Sequence, residues 1–194
     1  MPSIHLTFDD GPDPRWTPVV LDLLAAYGAH ASFFLVGRAA CASPALVRRI
    51  HAAGHAIGNH TWSHRHPWLL STKAARCEVR DGAKAIADIL GRQARLYRPP
   101  HGRRRACMED AAAALGQSTV MWTRSAVDWG PLARPSAIAR RLGHVRDGEI
   151  VLMHDAARGI NRPDRLLAAL PDCLEGLHAA AWHMVALDSQ DRRL

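Results

Sequence analysis

The stretch Ile4-His5-Leu6-Thr7-Phe8-Asp9-Asp10-Gly11-Pro12 decides how the rest of this sequence is read. Ile4, Leu6 and Phe8 alternate with other residues over a short run, the period-2 pattern of a β-strand, and Gly11-Pro12 stops it. Two adjacent carboxylates therefore sit where a strand turns into a loop. Like charges side by side repel, and neither is tolerated in a core without a partner. A metal ion on one of them would resolve the conflict and leave the other free as a base. In isolation Asp-Asp-Gly-Pro is also an ordinary turn; the residues further along the chain give it chemical meaning.

From that strand onward the chain alternates short apolar runs with capped helical stretches. Thr17-Pro18 and Gly28 bracket one helix with a cap, a first-turn proline and a terminal glycine, and Ser43-Pro44 and Gly54 bracket a second. An amphipathic stretch runs from Ser71 to Gly91, and another follows Gly102 and ends near Gly116. The remaining strand candidates are 31–36, 55–59, 95–98, 119–122, 149–154 and 182–187. With no linker, repeat or low-complexity tract, residues 1–194 are expected to form a single domain. Such alternation argues for an α/β fold with a mainly parallel sheet, because each parallel pairing needs a crossover helix. About seven strands in so short a chain either stay an open sheet or close into an irregular, incomplete (β/α) barrel. Polar groups gather at successive strand ends: Asp9 and Asp10 after the first, a histidine pair after the third, Arg98 after the fourth, Asp128 after the fifth and His154 at the end of the sixth. That distribution favours the barrel, since an open doubly wound sheet typically binds at a single crevice.

His60-Thr61-Trp62-Ser63-His64 carries the histidine pair. If helical, a separation of four places both imidazoles on one face, where they can grip one ion. His66 has the wrong spacing and is followed by Pro67, so it reads as a bystander. Asp10, His60 and His64 together make a facial three-ligand set for a divalent metal; zinc is the default, and cobalt, nickel or iron(II) also suit such donors. In Tyr97-Arg98-Pro99-Pro100-His101-Gly102 the prolines stiffen a loop, and Arg98 is placed to orient a carboxylate such as Asp9 by a bidentate pair. A histidine that donates a proton needs a raised pKa, which Asp128 would supply to His154.

Composition narrows the classes. A 48% hydrophobic and 22% charged sequence is that of a folded globular protein, and no apolar run is long enough for a transmembrane helix. No basic and apolar leader precedes the first strand, so the expectation is a cytoplasmic protein, with secretion as the alternative. Four cysteines, Cys41, Cys77, Cys107 and Cys173, form no CxxC pair, which disfavours a zinc ribbon or redox motif. The net charge of +7 is carried almost wholly by arginine, since Lys73 and Lys84 are the only lysines. A basic surface suits acidic or phosphorylated partners. However, no basic stripe with interleaved aromatics and no helix-turn-helix pattern points to nucleic acid.

Taken together, Thr7–Pro12, His60–His64, Arg98–Gly102, Asp128-Trp129 and Ile150–Asp155 resemble the motifs of the polysaccharide deacetylase family, the NodB homology domain of carbohydrate esterase family 4. The resemblance implies a NodB-type barrel and a metal-dependent carbohydrate deacetylase. It implies Asp9 as catalytic base, Asp10, His60 and His64 as metal ligands, and Arg98 as the residue holding the base. It further implies His154 as catalytic acid and Asp128 as the carboxylate tuning it. Leu152 matches the apolar wall for the acetyl methyl, Trp129 an aromatic lining the site, and Pro99 and His101 further substrate contacts. The implied reaction is metal-assisted hydrolysis: Asp9 deprotonates the attacking water, the His101 N–H helps to hold the oxyanion, and His154 protonates the leaving amine. Two departures stand out. Ser125 replaces an aspartate common in the fourth motif, so that loop is expected to be held differently, and His101 stands where an aromatic is common.

The resemblance implies an acetylated carbohydrate as substrate, with an amino sugar or short chitooligosaccharide preferred and no partner protein indicated. The alternatives are an O-acetyl (xylan) esterase, a peptidoglycan N-acetylglucosamine deacetylase and a deacetylase of a small non-polymeric amide, since the motifs specify the reaction rather than the substrate.

Overall fold

Strand β1 (Ser3–Asp9) is buried along almost its whole length. Ile4, Leu6 and Phe8 belong to the main apolar core, together with Val20, Leu21, Leu24, Val47 and Ile50. The structure, a computed structural model, describes residues 1–188 of the chain. The other strands are β2 (Ser32–Leu35), β3 (Ala56–Asn59), β4 (Leu96–Tyr97), β5 (Ser118–Thr119), β6 (Arg124–Ser125), β7 (Ile150–His154) and β8 (His183–Met184). They pair in the order β5-β4-β3-β2-β1-β7-β6, and every one of these pairings is parallel. β8 lies off this path, where His183 and Met184 pair with Ser3 and Ile4. The sheet curls into an incomplete barrel, as the strand-helix alternation predicts.

The connections are α1 (Thr17–Ala26), α2 (Gly37–Ala42), α3 (Pro44–Ala52), α4 (Thr72–Leu90), α5 (Ala106–Ala113), α6 (Pro135–Leu142), α7 (Pro163–Leu167) and α8 (Leu170–Ala179). The long helix α4 starts and stops where expected. Ser71 accepts from the Ala74 N–H at 3.2 Å, and Gly91 closes the helix in the left-handed conformation at φ 69°. At α1 the expected cap is different: Trp16 takes that place, because the Thr17 hydroxyl donates instead to Asp155. β6 was not expected at all. Its two residues carry no periodic signal, and it moves Asp128 from the end of a fifth strand to the end of a sixth.

Helix α4 sets the height of the loop that follows β3. Asn59 donates to Val79 O (2.9 Å) and to Gln117 Oε1 (3.1 Å), while its own Oδ1 accepts from the Thr61 N–H (3.0 Å). Gly82 makes this approach possible, since a Cβ there would lie 2.5 Å from Asn59 Oδ1 and from the Thr61 carbonyl carbon. Backbone that close cannot yield as a flexible side chain would. Gly82→Ala is expected to cost about 1–3 kcal/mol through overpacking, lowering Tm by roughly 2–12 °C. Thermal unfolding of the variant checks this, and an unchanged Tm would show that α4 is free to shift.

Candidate active site

The register of the sheet assembles the site. Asp9, the last residue of β1, pairs directly with His154, the last residue of β7. His60 and Arg98 extend β3 and β4 by one residue each, through His60 N–H to Leu35 O (2.9 Å) and Arg98 N–H to Asn59 O (3.0 Å). The strand ends open onto a cleft of about 450 Å³ lined by Asp9, Asp10, His60, His64, His101, Trp129, Leu152 and His154. Gly102, Trp122 and Arg158 to Asn161 complete its wall. Pro99, expected as a substrate contact, is buried and is not among the lining residues.

Asp9 and Asp10 diverge because the backbone turns between them. Asp10 adopts φ 77°, a left-handed conformation uncommon for a residue with a Cβ. Gly11 is required for a different reason from the turn itself: a Cβ there would lie 2.5 Å from both carboxylate oxygens of Asp155. Asp155 is fully buried, and burial, opposed by the Thr17 hydroxyl donating at 2.5 Å, pushes its pKa up to about 7.

Asp9 Oδ1 accepts from Arg98 Nη1 at 2.8 Å. The contact is a single hydrogen bond rather than the expected bidentate pair. The same Nη1 donates to Thr7 Oγ1 (2.8 Å) and Nε donates to Val120 O (3.1 Å), which rotates the fork away from the carboxylate. The guanidinium lies 4.0 Å over the Phe34 ring. Burial lowers its pKa, and Asp9 opposes that shift.

His60 and His64 converge on Asp10, but not from a helix. Thr61 and His64 adopt positive φ (67° and 60°), and the segment is a loop clamped between helices. Gly37 and Arg38 N–H groups donate to the Thr61 and Trp62 carbonyls (2.8 and 2.9 Å), and the Trp62 N–H donates to Glu78 O (2.8 Å). Ser63 completes the clamp by donating to the Glu78 carboxylate through its N–H (2.8 Å) and hydroxyl (2.5 Å). His60 donates through Nδ1 to Arg98 O (2.7 Å), which leaves the Nε2 lone pair facing the carboxylates, 3.6 Å from Asp10 Oδ1. His64 Nε2 lies 2.9 Å from the same oxygen.

These donors fit a divalent ion. One ligand atom each from Asp10, His60 and His64 lie within 4.8 Å of one another, and Asp10 Oδ1 is buried with no hydrogen-bond donor. Burial drives the His60 pKa down to about 4, so its lone pair is free at neutral pH. Burial pushes the Asp10 carboxyl up, but His64, His60 and His154 outweigh it and hold it well below the usual carboxylate range. Asn161, which carried no sequence signal, donates to Asp10 Oδ2 at 2.7 Å and orients it from outside the triad.

Asp128 grips His154 twice, accepting from Nδ1 at 2.9 Å and from the backbone N–H at 2.7 Å. Burial lowers the pKa of this imidazole, but Asp128, Asp10 and Asp9 outweigh it and bring it up to about 9. The loop holding Asp128 is secured by Ser125, whose Oγ accepts from the Val127 N–H at 3.0 Å, with Val127 at φ 55°. Trp129 stands edge-on to His154 (5.4 Å, 85°). His101, at φ 56°, packs its ring against His64 at 4.5 Å and against His66 at 5.2 Å, so His66 braces the rim without lining the cleft.

A polysaccharide deacetylase family model matches residues 1–120. A peptidoglycan-N-acetylglucosamine deacetylase of Bacillus cereus is 34% identical over 186 residues, 95% of this chain and 85% of its own length. A chitooligosaccharide deacetylase of Sinorhizobium fredii is 33% identical over 185 residues, covering 91% and 86%. Among solved structures, a family 4 carbohydrate esterase from Streptomyces lividans in complex with acetate superposes with a TM-score of 0.87 at 30% identity, over 98% of this chain and 95% of the other.

The Asp128 grip yields a direct test. In the metal-free protein, Asp128→Asn removes the largest influence raising His154 and leaves Asp10 and Asp9 to oppose burial. The His154 pKa is therefore expected to fall from about 9 towards its ordinary value near 6.5. An imidazole NMR titration reads this shift, and a pKa that stays near its starting value would show that Asp128 does not set it.

Proposed function

This chain belongs to the polysaccharide deacetylase family, and from that premise we propose that it hydrolyses the N-acetyl group of an amino sugar or short chitooligosaccharide, releasing acetate and a free amine. The observation that carries this reading is the placing of Asp9 and His154 side by side on paired strands, next to the Asp10-His60-His64 donor set. One carboxylate oxygen and two imidazole nitrogens in a three-ligand set suit zinc. A bound divalent ion would supply Lewis acidity, polarising the acetyl carbonyl and lowering the pKa of water.

The protein's own groups divide the proton transfers. Asp9, held by Arg98, accepts a proton from the attacking water. The His101 N–H is assigned to the developing oxyanion. His154, charged at neutral pH by virtue of its raised pKa, gives its proton to the amide nitrogen as the C–N bond breaks. Leu152, on the cleft wall, offers an apolar surface to the acetyl methyl.

Acetate release from N-acetylglucosamine oligomers of increasing length, with zinc added, is the expected positive result, and chelator should abolish it. No release from a preparation holding stoichiometric zinc would count against the amide reading and direct the assay to acetyl-xylan. Within the same assay, His154→Ala is expected to lower kcat by roughly 10²–10⁴-fold while zinc stoichiometry stays at one per chain. Undiminished turnover would remove His154 from the role of acid.

A further inference from the structure

Asp9, Asp10, His60, His64 and His154 are the cleft-wall side chains assigned above to the reaction. One other charged side chain lines the same space, Arg158, four residues after His154. Its side chain is 37% exposed, its Nε is buried without a hydrogen-bond partner, and the one carboxylate in ion-pair range among the described residues is Asp10, at 4.0 Å. Asp10 already has other claims on it: Asn161 donates to Oδ2, and Oδ1 faces both imidazoles. A cation held by that triad would draw on the charge of Asp10 and leave Arg158 without a carboxylate of its own.

The loop presenting Arg158 is well anchored. Gly130 N–H donates to Ile160 O (2.9 Å), Arg162 N–H to Asp128 O (2.8 Å) and Asn161 N–H to Arg158 O (3.0 Å). In sequence, Arg65 follows the candidate ligand His64 and Arg103 follows the lining residue Gly102; both are exposed, and neither has a carboxylate in ion-pair range among the described residues. A guanidinium fork matches carboxylate and phosphate oxygens alike.

We propose that Arg158 is a specificity-determining residue selecting acetylated sugars that carry an anionic substituent, a carboxylate or a phosphate, beside the acetamide. This rests on the deacetylase reading above and narrows its substrate class. The test uses three zinc-loaded assays on N-acetylglucosamine disaccharides: unsubstituted, carrying a lactyl carboxylate, and carrying a 6-phosphate. At least one anionic sugar is expected to show a kcat/KM about tenfold or more above the neutral one. Arg158→Gln should bring that ratio close to one, and Arg158→Lys should recover part of it. Which anionic sugar gains identifies the substituent. Equal kcat/KM on all three sugars, or a preference that survives Arg158→Gln, overturns the inference.

Binding decides the matter independently of turnover. Calorimetry on zinc-loaded Asp9→Asn, with and without Arg158→Gln, should show tighter binding of the anionic disaccharide that is lost in the double variant; equal affinities overturn the inference. If no sugar releases acetate, the deacetylase reading falls, while the binding ratio still reports on Arg158.

Discussion

A guanidinium with no exposed surface holds one side of this barrel together. Arg98 leaves the end of β4, crosses over Phe34 of β2 and reaches Thr7 and Asp9 of β1. In the sheet order β4 and β1 are three steps apart, about 14 Å in a flat sheet, which is too far for one side chain to span with hydrogen bonds at its end. The contact exists because the sheet curls, and the curl in turn is filled by the contact. Removing an arginine charge from water is costly, and Asp9 makes that burial tolerable. The pairing therefore links architecture to chemistry, since the residue that neutralises the buried cation is also the proposed base.

The same economy appears at β1 as a whole. Its apolar positions, Ile4, Leu6 and Phe8, serve the helix-facing core, and Phe8 stacks on Phe33 of β2 at 5.1 Å. Its polar positions serve the other face, where Thr7 donates to Val151 O (2.7 Å) and accepts from Arg98. A strand buried on both faces normally reads as a continuous apolar run. Here alternation survives because the barrel interior near the site is polar.

That is why β1 was legible in the sequence, and it also marks where legibility ends. Ser71 and Gly91 announce α4 because caps are local chemistry. The spacing of His60 and His64 suggests that the two imidazoles come together, and both do reach Asp10 Oδ1, yet from a loop and not from a helix. Loop backbone at Thr61 and Trp62 is bonded to α2 and α4, long-range partners that no local pattern reveals. Pro99 looked like a site residue by its neighbours and turned inward. Asn161 and Arg158 lie in a loop without periodicity, and they reach Asp10 only because Ile160 and Arg162 are tied to the Gly130 and Asp128 segment. Short pairings such as β6 are a consequence of the sheet rather than of their own two residues.

Two buried imidazoles a few ångströms from the same carboxylates are pushed in opposite directions, His60 down to about 4 and His154 up to about 9. Burial acts downward on both, and what reverses the outcome at His154 is the set of carboxylates that outweighs it. His60 meets Asp9 at 3.7 Å and Asp10 at 3.6 Å, with His64 competing for the same charge. His154 has Asp128 to itself at 2.9 Å. Separation of pKa values by environment is what allows one site to hold a neutral ligand and a charged acid at the same pH. The arrangement also couples to folding in the metal-free protein. Unfolding below the ordinary histidine pKa of 6.5 lets His60 take up a proton it lacks when folded, so its contribution to stability falls as pH drops from 6.5 towards 4. His154 holds a proton that the unfolded chain loses above 6.5, so its contribution falls as pH rises from 6.5 towards 9. The two histidines thus favour the fold most strongly near the pH where each is in the state its proposed role requires, and metal binding at His60 reinforces the acidic side of that preference by demanding the same neutral form.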